Sequence, residues 1–415
     1  SDNAILTYGV NQGVFIPLED YFEKYCPNIS AILDLPGVRE KMTAPDGHIY
    51  TIPYVCTDTT VGYSPYINTK WLENVGMSMP TTTDEFEAVL KAFKEQDANG
   101  NGDASDEIPF STDPNNKHIE AMAGYFGLPM NKLGIAIQNE KVVYGGVSDT
   151  YREFLSWFHK LYAEGLVDVE LYTQDSSTWE GKGNQDLYGV SIAYGSNEFT
   201  GIPAAEERGD FDSMPVLNTD KDGIWLRDTE GFSVYRTQAV ITNKAEHPEI
   251  ICRWFDNAFA LENGIGCNRG PVGVIVNKED DGYHAIDTTT LSEEDQEKYS
   301  WGNLWPQSLP KYLPVDFEFV EEYPMYDEKK ATEEAYEANL TKEIIPSYWI
   351  DLDKIDTFSD TNTAIKDFFE QQQAQFVCGE LDIDNDADWQ AYVDGMYSLG
   401  LEDWVATQGI EEIAK

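Results

Sequence analysis

The stretch Glu95 to Phe110, EQDANGNGDASDEIPF, packs carboxylate and amide oxygens into a loop punctuated by glycine. Counted from Asp97 as position 1, oxygens fall at Asp97, Asn99 and Asn101, with Gly102 at position 6 and Asp103 at position 7. That is the first half of a calcium loop. Alternate side chains turn oxygens inward, the glycine permits the sharp turn, and position 7 offers its carbonyl. The second half departs. Position 12 should be a bidentate glutamate and is Ile108, Asp106 and Glu107 come one or two residues early, and Pro109 blocks a continuing helix. A helix precedes the loop and strand-like IPF follows it, so this is not the helix–loop–helix that opens in a sensor. The preceding helix points its negative end at the loop, which attracts a cation. The rival reading is a solvated turn of Asx residues. A second stretch, DIDNDADWQAYV from Asp382, fails the count, with Ala387 at position 6 and Val393 at position 12. It reads as the acidic start of a helix.

Catalytic motifs are missing from the sequence. The five histidines (His48, His118, His159, His247 and His284) form no HExxH, GVSIAYG is not GxSxG, and no GxxxxGK[ST] occurs. Among 75 acidic residues a carboxylate pair suited to glycoside hydrolysis is expected by chance and diagnoses nothing. The aromatics say more. Trp179, Trp225, Trp301, Trp305 and Trp349 lie in loop-like sequence, where flat rings can stack on sugar rings. Core or interface packing is the alternative for each.

Lys and Arg total 28 against 75 Asp and Glu, a net charge of −47. Nucleic acid and anionic membrane surfaces are excluded as partners, because phosphate binding needs a basic footprint. Five cysteines without CxxC spacing argue against a zinc site or a dense disulfide framework, and for mostly buried thiols, with one or two bridges left open. No apolar run is long enough to span a membrane. The first residues, SDNAILTYGVNQGVFIPLEDYF, carry no basic n-region followed by an apolar h-region.

The elements that must position these residues alternate between short strands and amphipathic helices, an α/β pattern. PTTTDEFEAVLKAFKEQ predicts a helix opened by a Thr82–Glu85 capping box and buried along Phe86, Val89, Leu90 and Phe93. SDTYREFLSWFHKLYAEGL predicts another, with Tyr151, Phe154, Leu155, Phe158, Leu161 and Tyr162 inward and Gly165 as its stop. HPEIICRWFDNAFA predicts a third, burying Ile250, Ile251, Trp254, Phe255 and Ala258. TNTAIKDFFEQQQAQFV and DADWQAYVDGMYSLGL read as C-terminal helices. Strands are expected in HIYTIPYVC, LYGVSIAYG, SVYRTQAVIT and PVGVIVN, with turns at 45–47, 221–223 and 280–282. The aromatic, proline-rich segment from about 285 to 330 reads as a long ordered excursion of the kind that often carries function.

In this order the motifs resemble the extracellular solute-binding proteins of ABC importers, family 1, in the large lipoprotein subgroup of Gram-positive bacteria. The resemblance is carried by DGHIYTIPYV, then by GYSPYINTKWLENVGMSMPTTTDEFEAVLKAFKEQDANGNGDASDEIPF. WFHKLYAEGLVDVELYTQD, AVITNKAEHPEIICRWFDNAF, GPVGVIVNKEDDGY and FVCGELDIDNDADWQAYVDGMYSLGLEDW continue it over most of the chain. It implies a two-lobed α/β fold, periplasmic-binding-protein-like class II, with ligand in the cleft between the lobes. It also implies a structural Ca2+ held by Asp97, Asn99, Asn101, the Asp103 carbonyl, Asp106 and Glu107, with Ser105 as one residue more than the commoner spacing. Members open with a signal peptide, a lipid-bearing cysteine and a strand–helix–strand unit. The first residues here resemble a stretch that follows all three, so the opening unit is expected to be missing.

The function so implied is capture of a sugar or oligosaccharide by a monomer outside the cell, lipid-anchored at the membrane face, and delivery to an ABC permease by hinge closure. Candidate ligand contacts are Tyr54, Asp58, Tyr194 and Asn197, from loops after strand-like segments, with the tryptophans 179, 225, 301 and 305 and Arg236 near a crossover. Lobe 1 is expected to span residues 1–112 and 237–300, and lobe 2 residues 113–236 and 301–415. The rival readings are a secreted glycoside hydrolase, a calcium-dependent adhesion module, and a binding protein for a peptide or another small solute.

Overall fold

The computed structural model describes residues 2–57, 59–114, 119–201, 210–286, 291–299, 303, 309–313, 324–410 and 412–414. The chain divides into two compact units: residues 1–59, 229–322 and 347–359, and residues 60–228, 323–346 and 360–415. The first passage between them falls at residues 59/60 rather than near 112. The return at 229 lies close to the expected 236, the next exit falls at 322 rather than 300, and a short third segment belongs to unit 1. The glycine-rich acidic loop therefore lies inside unit 2 and not at the end of the first lobe segment.

Unit 1 is built on a three-stranded sheet in the order Lys311–Tyr312, Thr51–Thr57, Phe232–Val240. The middle strand runs parallel to the first and antiparallel to the last. Its Pro53 has no N–H to give, and the register slips between Ile52 and Tyr54, where proline is tolerated as part of an irregularity. Helices Glu19–Tyr25, Pro27–Leu33 and Pro248–Asp256 contribute to a core of Phe22, Cys26, Ile29, Ile52, Val55, Cys252 and Phe259. The stripe expected for the last of these helices needs correction. Ile250, Ile251 and Trp254 are 59%, 36% and 56% exposed, while Cys252 and Asp256 point inward. The chain reads as apolar on two sides, and the buried side is the one carrying Asp256. Its carboxylate accepts from Ile29 N at 2.8 Å and from Asn28 Nδ2 at 2.9 Å. PVGVIVN also departs from expectation: the strand is Val276–Glu279, paired as a hairpin with Gly282–Ala285 across the expected turn.

Unit 2 centres on a four-stranded sheet in the order Ile108–Thr112, Tyr188–Ala193, Ser64–Asn68, Phe211–Ser213. The first pair is parallel and the others antiparallel. Tyr188–Ala193 is buried at every residue, as a strand covered on both faces should be. The helix Thr83–Glu95 is capped by Thr82, whose Oγ1 accepts from Glu85 N at 3.2 Å, while the Glu85 carboxylate reaches back to Thr81 N at 2.8 Å and not to the Thr82 N–H of the expected box. Its Phe86, Val89, Leu90 and Phe93 are buried, and so are Tyr151, Phe154, Leu155, Phe158 and Leu161 of Asp149–Ala163. Tyr162 is half-buried, and Gly165 takes φ +67°, ending that helix as a left-handed glycine does. Among the described residues no helix is long and apolar enough to cross a membrane.

Candidate functional site

The acidic loop joins the helix Thr83–Glu95 to the strand Ile108–Thr112. Its shape is set by side chains that accept from its own backbone. Asp97 Oδ2 takes Gly102 N at 3.0 Å, Asn99 Oδ1 takes Asn101 N at 2.9 Å, and Asn101 Oδ1 takes Asp103 N at 2.7 Å. Gly100 and Gly102 adopt φ of +74° and +95°, which residues with a Cβ resist. Asp106 is held by the amides of Asn99 and Asn101 at 3.1 and 2.7 Å, and Glu107 Oε1 accepts from Ala98 N at 2.8 Å. Two oxygens are left over: Asp97 Oδ1 and Glu107 Oε2 are buried without a hydrogen-bond partner. Burying a carboxylate oxygen unpaired is costly, so each calls for an explanation. Burial holds the Glu107 carboxyl above its ordinary range, and the Asp106 charge pushes the same way. A hard cation would relieve both effects. Asp97, Asn99, Asn101, Asp106 and Glu107, with the Asp103 carbonyl, make the all-oxygen donor set that such an ion takes.

A second cluster in unit 2 gathers where Tyr188–Ala193 ends and Ser64–Asn68 begins. Tyr194 N donates to Glu198 Oε2 at 2.9 Å, and Tyr194 O accepts from Tyr66 Oη at 3.1 Å. The ring of Tyr194 is half-exposed and meets that of Tyr63 edge-on at 6.1 Å. Asn197 opens the short helix Asn197–Thr200 beside it. Sequence reasoning missed the partner of this group. Lys329, on the helix Pro324–Tyr336, is 6% exposed, and its ammonium lies 4.0 Å from the centre of the Tyr194 ring. It also donates to the carbonyl of Gly62. Burial pulls its pKa down to about 8, against the attraction of Glu328, Glu198, Glu333 and Asp228. Glu328 Oε1 accepts from Ser196 N at 2.8 Å, and burial raises the carboxyls of both Glu328 and Glu198. Nothing in MYDEKKATEEAY distinguishes Lys329 from a solvated helix lysine.

Unit 1 carries a simpler arrangement. Tyr54 lies opposite Tyr235 on one neighbouring strand and opposite Lys311 on the other. The two tyrosine rings stack at 5.5 Å and 17°, with Tyr235 43% exposed. The Lys311 ammonium sits 4.4 Å from the centre of the Tyr54 ring, and burial lowers its pKa to about 8. A half-open aromatic stack backed by a buried cation offers a flat apolar face with a polar rim. Tyr235 has a sequence signal in the alternation of SVYRTQAVIT; Lys311, in LPKYLP, has none.

Three expected contacts need correction. Trp179 is 3% exposed on the helix Ser176–Asn184, packed with Phe199 and Tyr188, its Nε1 donating to Ser191 Oγ at 3.2 Å. Glycines disguise that helix as a loop, but Asp175 caps it by accepting from Thr178 N at 2.8 Å. Trp225 is 2% exposed in the strand Trp225–Arg227, its ring against Tyr125 and Tyr336. Both rings are used in the core of unit 2 and offer no face to a ligand. Arg236 is 6% exposed and already engaged. It donates to Asp2 Oδ1 at 2.8 Å, Asp2 Oδ2 at 2.6 Å and the carbonyls of Lys41 and Tyr348, and lies 3.9 Å over Trp349. It clips segments of unit 1 together. Asp58, Trp301 and Trp305 lie outside the described residues.

Comparison with known proteins bears on what these arrangements serve. No protein-family model matches the chain. FusA, the fructooligosaccharide ABC transporter substrate-binding protein of Streptococcus pneumoniae serotype 4 (strain ATCC BAA-334 / TIGR4), is 34% identical over 273 residues, 63% of this chain and 50% of that protein. Lipoprotein LipO of Bacillus subtilis (strain 168) is 30% identical over 218 residues, 50% of this chain and 40% of that protein. The chain thus spans half or less of the length of these curated relatives. Among solved structures, S. pneumoniae FusA with kestose superposes with a TM-score of 0.83 at 26% identity, over 98% of this chain and 84% of that one. An EF-hand mutant of FusA with fructo-nystose gives the same TM-score at 25% identity, with the same coverage. In sequence the chain is similar to substrate-binding proteins of ABC transporters, and it shares their two-unit, periplasmic-binding-protein-like α/β fold.

Proposed function

We propose that this chain captures an oligosaccharide outside the cell and hands it to an ABC permease, with a Ca2+ ion bracing the loop at residues 97–107. The observation that carries the sugar reading is the likeness to FusA, whose solved structures hold kestose and fructo-nystose, over 98% of this chain. The chemistry of both units supports it. Tyr54 and Tyr235 in unit 1, and Tyr63 and Tyr194 in unit 2, supply ring faces for stacking on pyranose or furanose rings. Asn197 and the carboxylates around Lys329 supply hydrogen-bond acceptors for hydroxyls, and such fixed polar groups set orientation. The calcium reading rests on the two orphaned carboxylate oxygens and on the FusA form described as an EF-hand mutant. The likeness to LipO, a lipoprotein, supports lipid anchorage of the whole protein.

Titration calorimetry against a panel of fructans, other neutral oligosaccharides and short peptides tests the reading. Heat with at least one glycan, weakened when Tyr194 or Tyr54 is replaced by alanine, is the expected result. No heat with any glycan, or binding of peptides only, would overturn it.

A further inference from the structure

The unit 1 core holds two thiols from separate segments of its chain. Cys26 is the one non-helical residue between Glu19–Tyr25 and Pro27–Leu33, and Cys252 sits mid-helix in Pro248–Asp256. Both are fully buried, and both are free thiols in this structure. They belong to the same apolar cluster with Phe22, Ile29 and Phe259. The two helices are locked in register one turn further on. Asp256 Oδ1 accepts from Ile29 N at 2.8 Å, Asp256 Oδ2 accepts from Asn28 Nδ2 at 2.9 Å, and the Asp256 carbonyl takes a second bond from Asn28 at 3.2 Å. That clamp seats Pro248–Asp256 against the two helices that flank Cys26. The neighbouring thiol moves each in opposite directions, Cys26 above its ordinary pKa and Cys252 below it.

We infer that Cys26 and Cys252 are a disulfide site that staples the first segment of unit 1 to the helix Pro248–Asp256. The other three cysteines differ: Cys267 is half-buried, Cys378 is exposed, and Cys56 belongs to a different cluster. The step is thiol–disulfide exchange with a small disulfide as oxidant. One cysteine thiolate attacks the oxidant's S–S bond, forming a mixed disulfide and releasing one thiolate. The second cysteine thiolate attacks the protein sulfur of that mixed disulfide, forming the Cys26–Cys252 bond and releasing the second thiolate. The two protons lost by the protein end on the two released thiols. The protein is oxidised by two electrons and the oxidant reduced by two. Because both sulfurs are buried, the exchange belongs to the folding chain, before the helices close over them.

The test is refolding of the chain from urea with oxidised glutathione, and in parallel with reduced glutathione, followed by alkylation and non-reducing peptide mapping. The expected result is a linked pair of peptides carrying Cys26 and Cys252, lighter than the reduced pair by two hydrogen atoms. The melting temperature of the oxidised form should be higher by roughly 5 °C, since the bond closes a long loop of the unfolded chain. C26S and C252S should each abolish the link and the shift. Alkylation of both residues after oxidative refolding, or their capture by Cys56, Cys267 or Cys378, would overturn the inference. The wild-type map decides this even where a serine variant fails to fold.

Discussion

Among the described residues, each unit buries one lysine against a tyrosine ring, and burial brings both to a pKa of about 8. The surroundings differ. Lys329 in unit 2 is pulled upward by four carboxylates, two of which (Glu328 and Glu198) are themselves held in their neutral direction by burial. Lys311 in unit 1 stands over the Tyr54 ring, and the groups that raise it are the thiols of Cys267 and Cys56. A depressed lysine is therefore ambiguous by itself. In unit 2 it lies among four carboxylates that raise it, and in unit 1 two thiols raise it. The acidic loop, also in unit 2, leaves two buried carboxylate oxygens, Asp97 Oδ1 and Glu107 Oε2, without a hydrogen-bond partner.

The largest expected effect separates the two lysines directly. K329M leaves Glu328 and Glu198 buried without the cation that favours their ionised forms, and removing one member of a buried charged set costs about 3 kcal/mol or more. Urea unfolding at pH 7 should show that loss, and it should shrink toward pH 5 as the two glutamates protonate. A loss independent of pH would reduce Lys329 to a packing residue. Next comes the loop. With Ca2+ at a hundredfold excess over its Kd, chelation should remove about 2.7 kcal/mol of stability, while leaving the rank order of bound glycans unchanged. The raised Glu107 carboxyl adds a pH dependence: ion affinity should fall on acidification earlier than an ordinary carboxylate would cause, because the ligand must be ionised. E107Q should abolish that early fall; an unchanged melting temperature with and without chelator would sink the metal reading. A smaller effect is expected at the rings. Y194A and Y54A should each weaken glycan binding about tenfold, in line with about 1.4 kcal/mol for a lost aromatic contact, with little change in unfolding free energy for the half-exposed Tyr194.

The difference between the units also marks what the sequence discloses. The loop at 97–107 is legible because its chemistry is local: oxygens at alternate positions and glycines at φ > 0 follow one another along the chain. The Thr82 cap and the Phe86–Phe93 stripe are legible for the same reason. Lys329 and Glu328 are not, because KKATEE looks solvated until the carbonyl of Gly62 and the amide of Ser196 are brought against it from distant segments. The helix at 248–256 failed in phase. Ile250, Ile251 and Trp254 outweigh Cys252 in apolar character, and only the long-range bonds from Asp256 to Asn28 and Ile29 decide which side faces in. Trp179 and Trp225 show the converse error, in which glycine and aspartate neighbours suggest a loop although the ring completes a core.

The smallest expected effect is at Lys311, and its smallness is informative. Its folded pKa of about 8 lies below the unfolded value of about 10.4, so the folded state disfavours the charge. The stability linked to this group is full above the unfolded pKa and is lost as pH falls through about 8, leaving a penalty of roughly 3 kcal/mol at pH 7. K311M removes that penalty together with the attraction to the Tyr54 ring, worth about 2 kcal/mol when desolvated. The net change at pH 7 should therefore stay within about 1 kcal/mol. The signature lies in the slope. The pH slope of unit 1 stability should be more positive in the wild type than in K311M from pH 8 upward, while the buried thiols Cys26 and Cys267 and, higher still, Tyr50, whose pKa values are raised, subtract from both at the upper end of the window. A K311M loss as large as that of K329M would show that the two lysines carry equal weight, and the contrast between the two units would collapse.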